Sequence, residues 1–220
     1  MKIPNNIILT WKDDNIPSYV IPNIKKLNPE KEILFFTDED VVDFLSKEYD
    51  SSYVDFFHTI NHGCNKGDFF RYCYLYKRGG YYCDVDIKHI EPIDNYVSPD
   101  IDLFSVLSFF GSHVFQALLY CGSDHPIIEM CIKDIMSDKA QRDTHLNTTS
   151  DMYKNILKFL GKPKSSRLKD GTTIKMDGKN VRLAKEAMLN KEQACIYKNI
   201  IIAMSRYPEY DQEKGFLKQV

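Results

Sequence analysis

No stretch of the 220-residue chain is both long and apolar enough to cross a bilayer, which takes about 20 residues in a helix. The longest apolar runs, Ile101–Gly111 and Val114–Gly122, are short or interrupted by polar residues, so no integral membrane segment is expected. The opening Met1-Lys2-Ile3-Pro4-Asn5-Asn6 holds no apolar stretch of the secretory kind. An excess of charge is also missing. Lys and Arg number 29 against 31 Asp and Glu, a formal net charge of −2, and a binder of polyanions needs a net basic field, so nucleic acid is not an expected partner. The six cysteines (64, 73, 83, 121, 131 and 195) include no Cys-x-x-Cys pair, which argues against a zinc module and for reduced thiols in a cytoplasmic protein. Internal repeats, low-complexity tracts and linkers are absent, so residues 1–220 are expected to form one domain.

What is present suffices for a core, with 43% hydrophobic and 13% aromatic residues. The periodicity predicts a strand over Ile3–Trp11 and a helix from Pro17 or Ser18 to Leu27, stopped by Asn28-Pro29. A strand over Glu32–Thr37 and a helix over Glu39–Lys47, capped by Asp38, come next. That alternation is the rhythm of an α/β domain with a mixed, mostly parallel sheet flanked by helices. Asn65–Lys77 reads as a helix ended by Gly79-Gly80, and Tyr81–Ile87 as the strand after it. Ile101–Phe110 and Val114–Cys121 are candidate strands; Ile127–Met136 and Met152–Leu160 are candidate helices, the first capped by Ser123 or Asp124. Residues 152–191 carry eleven Lys/Arg against three acidic residues, and Thr172–Met176 and Lys179–Leu183 flank Asp177-Gly178, a small C-terminal β-hairpin. The basic stretch is either a lid for a bound anion or a solvated face.

The chemistry concentrates in Gly79-Gly80-Tyr81-Tyr82-Cys83-Asp84-Val85-Asp86. On a strand, Tyr82, Asp84 and Asp86 share one face while Tyr81, Cys83, Val85 and Ile87 share the other. Two close carboxylates repel each other unless a cation lies between them, and oxygen ligands suit Mn²⁺ or Mg²⁺. Upstream, Asp68 and Arg71 lie three apart on a helix, either as a surface ion pair or with Asp68 orienting Arg71 toward an anion or a sugar hydroxyl. His58 and His62 have the i, i+4 spacing of zinc ligands, but Thr59 stands where a zinc protease needs Glu. Ser123-Asp124-His125 contains the residue types of a hydrolytic triad without its spatial arrangement. A metal-dependent phosphodiesterase or nuclease using Asp84 and Asp86, or a non-catalytic nucleotide-sugar-binding module, are alternatives to a transferase.

Asp68-x-x-Arg71-Tyr72, Leu75-Tyr76 and Gly79-Gly80-Tyr81-Tyr82-x-Asp84-x-Asp86, together with Ile3-Pro4, Thr10-Trp11 and Asn28-Pro29, resemble glycosyltransferase family 32. That is the group of Asp-x-Asp sugar transferases found in fungi, in bacterial capsule synthesis and in large DNA viruses. The resemblance covers about residues 3–95. It implies a GT-A fold, a Rossmann-like α/β sheet, whose nucleotide-sugar-binding part is about 1–110, with the acceptor side and a basic lid in about 111–220. It implies a retaining transfer from a nucleoside-diphosphate sugar, commonly UDP- or GDP-linked, to a glycan or glycoprotein acceptor, with Mn²⁺ or Mg²⁺ as cofactor. By the same resemblance Asp86 holds the metal, and Asp84 contacts ribose, donor sugar or metal-bound water. Tyr82 and Trp11 would flank the nucleobase, Thr10 would contribute backbone contacts, and Asp68 and Arg71 would hold the transferred sugar. The catalytic set is then Asp68, Arg71 and Asp84. Gln116 and Thr148-Thr149-Ser150 stand about where the family often has an asparagine and a Thr-Gly-Pro-like segment. A viral or bacterial cytosolic enzyme, in host cytoplasm if viral, is the expected setting.

Overall fold

A computed structural model of the chain describes residues 4–137, 148–171, 173–176 and 178–206. Along the chain come β1 (Asn6–Thr10), α1 (Val20–Leu27), β2 (Glu32–Phe36), α2 (Asp38–Glu48), α3 (Ser51–Thr59), α4 (Gly63–Arg78), β3 (Gly80–Cys83) and β4 (Lys88–His89). A 3₁₀ turn at Ile93–Asn95 leads to β5 (Leu103–Leu107), β6 (Val114–Cys121), α5 (Pro126–Ser137) and α6 (Thr148–Phe159). The last strands are β7 (Thr173–Met176), β8 (Lys179–Leu189), β9 (Glu192–Tyr197) and β10 (Ile200–Met204). One sheet holds them all, in the order β2-β1-β3-β6-β5-β8-β9-β10-β4, with β7 beside β8. Pairing is parallel where β1 meets β2 and β3 and where β5 meets β8; the other ladders are antiparallel. This is the mixed α/β architecture that the strand–helix alternation predicts, although only three of the ladders among the described residues are parallel and six are antiparallel.

Both faces of the sheet are covered, so strand residues are apolar on each side. Ile8 and Tyr82 point into a cluster with Leu45, Phe57, Phe69 and Ile128, while Ile7, Leu9, Tyr81 and Cys83 point into a second with Val20, Ile24 and Tyr96. The alternation of a strand sorts neighbours into opposite cores. Each such side chain contributes about 1.5–3 kcal/mol by leaving water.

Several boundaries differ from the sequence reading for local reasons. Thr37, rather than Asp38, caps α2: its hydroxyl accepts from the Asp40 amide while Asp40 accepts from the Thr37 amide, a reciprocal box. At α5 the cap is His125 rather than Ser123 or Asp124, with Nδ1 accepting from the Ile127 amide at 3.3 Å. α3, started by Asp50 accepting from the Ser52 amide, has no counterpart in the sequence reading; His58 lies within it, whereas His62 stands just before α4, so the two do not share a helix. β9 and β10 were likewise not anticipated. The strand after Gly79-Gly80 stops at Cys83, so Asp84 and Asp86 lie beyond its end. β7 and β8 form the expected hairpin, whose Thr172 and Asp177, like Ile3, lie outside the described residues. All six cysteines are free and five are buried. Among the described residues no helix is long and apolar enough to cross a membrane.

Candidate active site

β1 lies between β2 and β3, so the chain leaves β1 toward one side and returns on the other. In such a sheet a crevice opens beyond the carboxyl ends of the strands where their order reverses. The chain has a cleft of about 1040 Å³ at this place. Thr10 and Trp11, following β1, line one wall; Asp84 and Asp86, following β3, line another; Asp68 and Arg71 come from α4. Phe115, Gln116 and Ala117 of β6, Thr149 of α6 and Arg206 complete it. Every site residue picked from the sequence therefore reaches one cavity, although the alternation that paired Asp84 with Asp86 on one strand face does not hold as stated.

The guanidinium of Arg71 organises the floor. It is 3% exposed. One terminal nitrogen, Nη2, lies 2.8 Å from Asp84 Oδ1 and 3.1 Å from Asp68 Oδ1, Nη1 donates to the Gln116 carbonyl at 2.8 Å, and Nε donates to the Gly67 carbonyl at 3.3 Å. Its flat face lies over the Tyr82 ring, 4.5 Å from the centroid, and the Tyr82 hydroxyl donates to Asp84 Oδ1 at 2.9 Å. A fork-shaped cation suits this work because it can bridge two carboxylates and still satisfy two carbonyls. Arg71 thus spends its donors on protein groups, and buried Tyr82 holds Asp84 rather than presenting a free ring face. Trp11 and Phe115 are the half-exposed aromatics that line the cleft.

A second layer of hydrogen bonds fixes Asp68. The Thr148 hydroxyl donates to Asp68 Oδ2 at 2.5 Å and accepts from Gln116 Nε2 at 2.7 Å, and the Tyr72 hydroxyl donates to Gln116 Oε1. All three partners are buried. The bonds of this network join residues 32 to 80 positions apart in the chain, which is why spacing alone could not find it. Burial pushes the Asp68 carboxyl up from its ordinary range, and the adjacent Arg71 opposes that.

Asp86 stands apart. Neither Arg71 nor Tyr82 is bonded to it, and burial, then the like charge of Asp84, push its carboxyl up to about 7. A carboxylate in that position gains a proton or a cation. Asp84 and Asp86 offer the oxygen donors that suit a hard divalent ion, and no cluster of three or more His, Cys, Asp or Glu able to hold a metal is found among the described residues. Asp86, with Asp84, would hold the ion, and the rest of its oxygen shell would come from ligand and water, the usual arrangement beside one or two carboxylates. Among the described residues, none from 154–191 lines this cavity.

Comparison with known proteins agrees with this geometry. Residues 15–101 match the family described as the glycosyltransferase sugar-binding region containing the DXD motif. Inositol phosphoceramide mannosyltransferase 1 of Schizosaccharomyces pombe is 34% identical over 103 residues, which are 44% of this chain and 32% of that protein. The initiation-specific alpha-1,6-mannosyltransferase of Saccharomyces cerevisiae is 30% identical over 106 residues, 44% of this chain and 22% of that protein. The chain thus spans a third or less of the length of these two relatives. Among solved structures, the PaToxG glycosyltransferase superposes with a TM-score of 0.56 at 13% identity, covering 71% of this chain and 69% of that one. The resemblance read from Asp68 to Asp86 thus has a counterpart in sequence, where residues 15–101 match the DXD sugar-binding region, and the fold is similar to that of a solved glycosyltransferase.

Proposed function

We propose that the protein is a metal-dependent glycosyltransferase that moves a sugar from a nucleoside-diphosphate sugar to a hydroxyl of a glycan, glycoprotein or glycolipid. The observation that carries this reading is the three-carboxylate floor, with one buried guanidinium tying down Asp68 and Asp84 and Asp86 left without a hydrogen bond to it, its carboxyl still raised despite the nearby charges of Arg206 and Arg71. Mannose is the first sugar to test, because the two relatives are named mannosyltransferases. GDP and UDP are the nucleotides to try, and retention of the anomeric configuration is the expected outcome. A bound Mn²⁺ or Mg²⁺ supplies a Lewis acid for the diphosphate oxygens.

The chain's own residues do the rest. Trp11 offers a ring to the nucleobase, with Thr10 anchored next to it through its hydroxyl bond to the Phe36 carbonyl at 3.0 Å. Asp68 and Asp84, each held on one oxygen by Arg71, keep lone pairs for sugar hydroxyls and oppose positive charge developing at the anomeric carbon. Their fixed positions spare the reorganisation that water would need.

The test is release of nucleoside diphosphate from a panel of UDP- and GDP-sugars with and without Mn²⁺, followed by transfer to simple glycoside acceptors. Asp86→Ala should lower turnover by roughly 10³-fold or more. Wild-type turnover in that variant, or cleavage of RNA or plasmid in place of sugar nucleotides, would sink the reading.

A further inference from the structure

Four Lys or Arg side chains line the cleft, and they differ in what they already hold. Arg71 is bound to Asp68 and Asp84; Lys66 pairs with Asp38 at 2.6 Å; Lys12 lies 3.8 Å from Asp13. Arg206 has no carboxylate partner among the described residues, and its head is exposed in the cavity on the side of Asp86. It stands there because of how the sheet ends. β10 pairs with β4, Met204 opposite Lys88, so the chain emerges two residues later beside the turn that carries Asp84 and Asp86. Ser205, the residue before it, is fastened on two sides: its amide donates to the Gln193 carbonyl at 2.9 Å and its hydroxyl donates to Glu186 Oε1 at 3.5 Å. Glu186 in turn accepts from the Ser108 hydroxyl at 3.0 Å. The base of Arg206 is therefore fixed, and its guanidinium, whose charge acts on Asp86, makes no ion pair among the described residues.

We infer that Arg206 is the protein's own cation for the diphosphate of the donor, binding a phosphate oxygen opposite the carboxylate wall. The inference rests on the transferase reading and adds to it a residue that neither the Asp-x-Asp motif nor the basic stretch 154–191 supplies. The charge balance of the reaction asks for such a group. When the bond between the anomeric carbon and the phosphate oxygen breaks, its electron pair stays on the phosphate, which gains one negative charge. The acceptor oxygen bonds to the anomeric carbon, and its proton passes to the departing phosphate or to solvent. A guanidinium offers two parallel N–H groups to phosphate oxygens, and bonds of this charge-assisted kind contribute more than neutral ones.

The experiment titrates GDP, UDP, GMP and UMP, each with MnCl₂, into wild type, Arg206→Gln, Arg206→Lys and Asp86→Ala, by calorimetry, with thermal unfolding to check each fold. The expected result is preference of the wild type for a diphosphate over its monophosphate. In Arg206→Gln the diphosphate should bind roughly ten- to a hundredfold more weakly, with the monophosphate little changed and partial recovery in Arg206→Lys. Wild-type diphosphate affinity in Arg206→Gln, while Asp86→Ala loses its manganese dependence, overturns the role of Arg206 and leaves the transferase reading standing. A wild type that binds neither diphosphate overturns both.

Discussion

Arg71 shows how much one side chain can decide. Its charge is almost fully out of water, which costs several kcal/mol unless partners replace the lost solvation. Asp68, Asp84 and two backbone carbonyls do so. Arg71→Ala would leave two carboxylates facing each other with no cation, and the expected loss is about 3–5 kcal/mol of folding stability, readable as a lower urea midpoint. Arg71→Lys keeps the charge but not the fork, so it should recover part of the stability and little of the turnover. Equal midpoints for wild type and Arg71→Ala would show that the floor is not held by this residue. Asp68 and Arg71 were legible in the sequence as a pair because three residues on a helix are neighbours. Their tie to Asp84 was not, since it depends on where β3 ends.

At the scale of elements, the passage from α4 into β3 sets the site. Gly79 has φ +65° and Gly80 φ +124°, conformations that side chains with a Cβ rarely adopt. A Cβ on Gly79 would lie 2.9 Å from the Cys121 carbonyl oxygen and the Ser123 amide nitrogen, and one on Gly80 would lie 2.6 Å from Ile8 Cδ1 and closer still to Asn6 Oδ1. These two residues turn the chain through a space walled by β1 and β6, so that Asp84 emerges opposite Asp68. Gly80→Ala should cost about 2–4 kcal/mol, from backbone strain and overlap together, and lower the thermal midpoint accordingly. A variant as stable as wild type would mean the turn relaxes freely. The sequence predicted this turn from the glycine pair, and it predicted the helix before it. α3 stayed hidden, because its apolar residues form no long periodic run and its start depends on a single Asp50 cap.

For the whole molecule, pH dependence follows from two buried groups that act with opposite sign, His89 and Asp86. His89 on β4 is 1% exposed, and neither of its ring nitrogens finds a hydrogen-bond partner among the described residues. Burial pulls it down to about 4 from the ordinary 6.5. Between those values the unfolded chain binds the proton and the folded chain does not, so stability is complete above pH 6.5 and falls as pH drops toward 4. The loss attached to this histidine is on the order of 3 kcal/mol. Asp86, raised to about 7, has the opposite sign: the folded state binds its proton first, which favours folding at low pH and less so as pH rises through 7. Comparing His89→Leu with wild type isolates the histidine. The variant should gain on wild type between pH 7 and pH 4.5 in denaturant titrations, and parallel curves would refute the assignment.

Local order was in the sequence. Runs of apolar residues on both faces, glycine turns and the Asp-x-Asp spacing pointed to the α/β class, to the helix bearing Asp68 and Arg71, and to a pair of carboxylates whose oxygens suit a hard cation. These are properties of neighbours along the chain, and backbone geometry converts them directly into faces and turns. Only the tertiary structure decided that Thr148 and Gln116 brace Asp68, that Tyr82 is buried against Arg71 and Asp84 while Trp11 lines the cleft half-exposed, and that Arg206 reaches the same cleft. Those contacts join residues from both ends of the chain. They form only once the order of strands in the sheet has brought β1, β3, β6 and β10 to the same side, and no short-range pattern encodes that order.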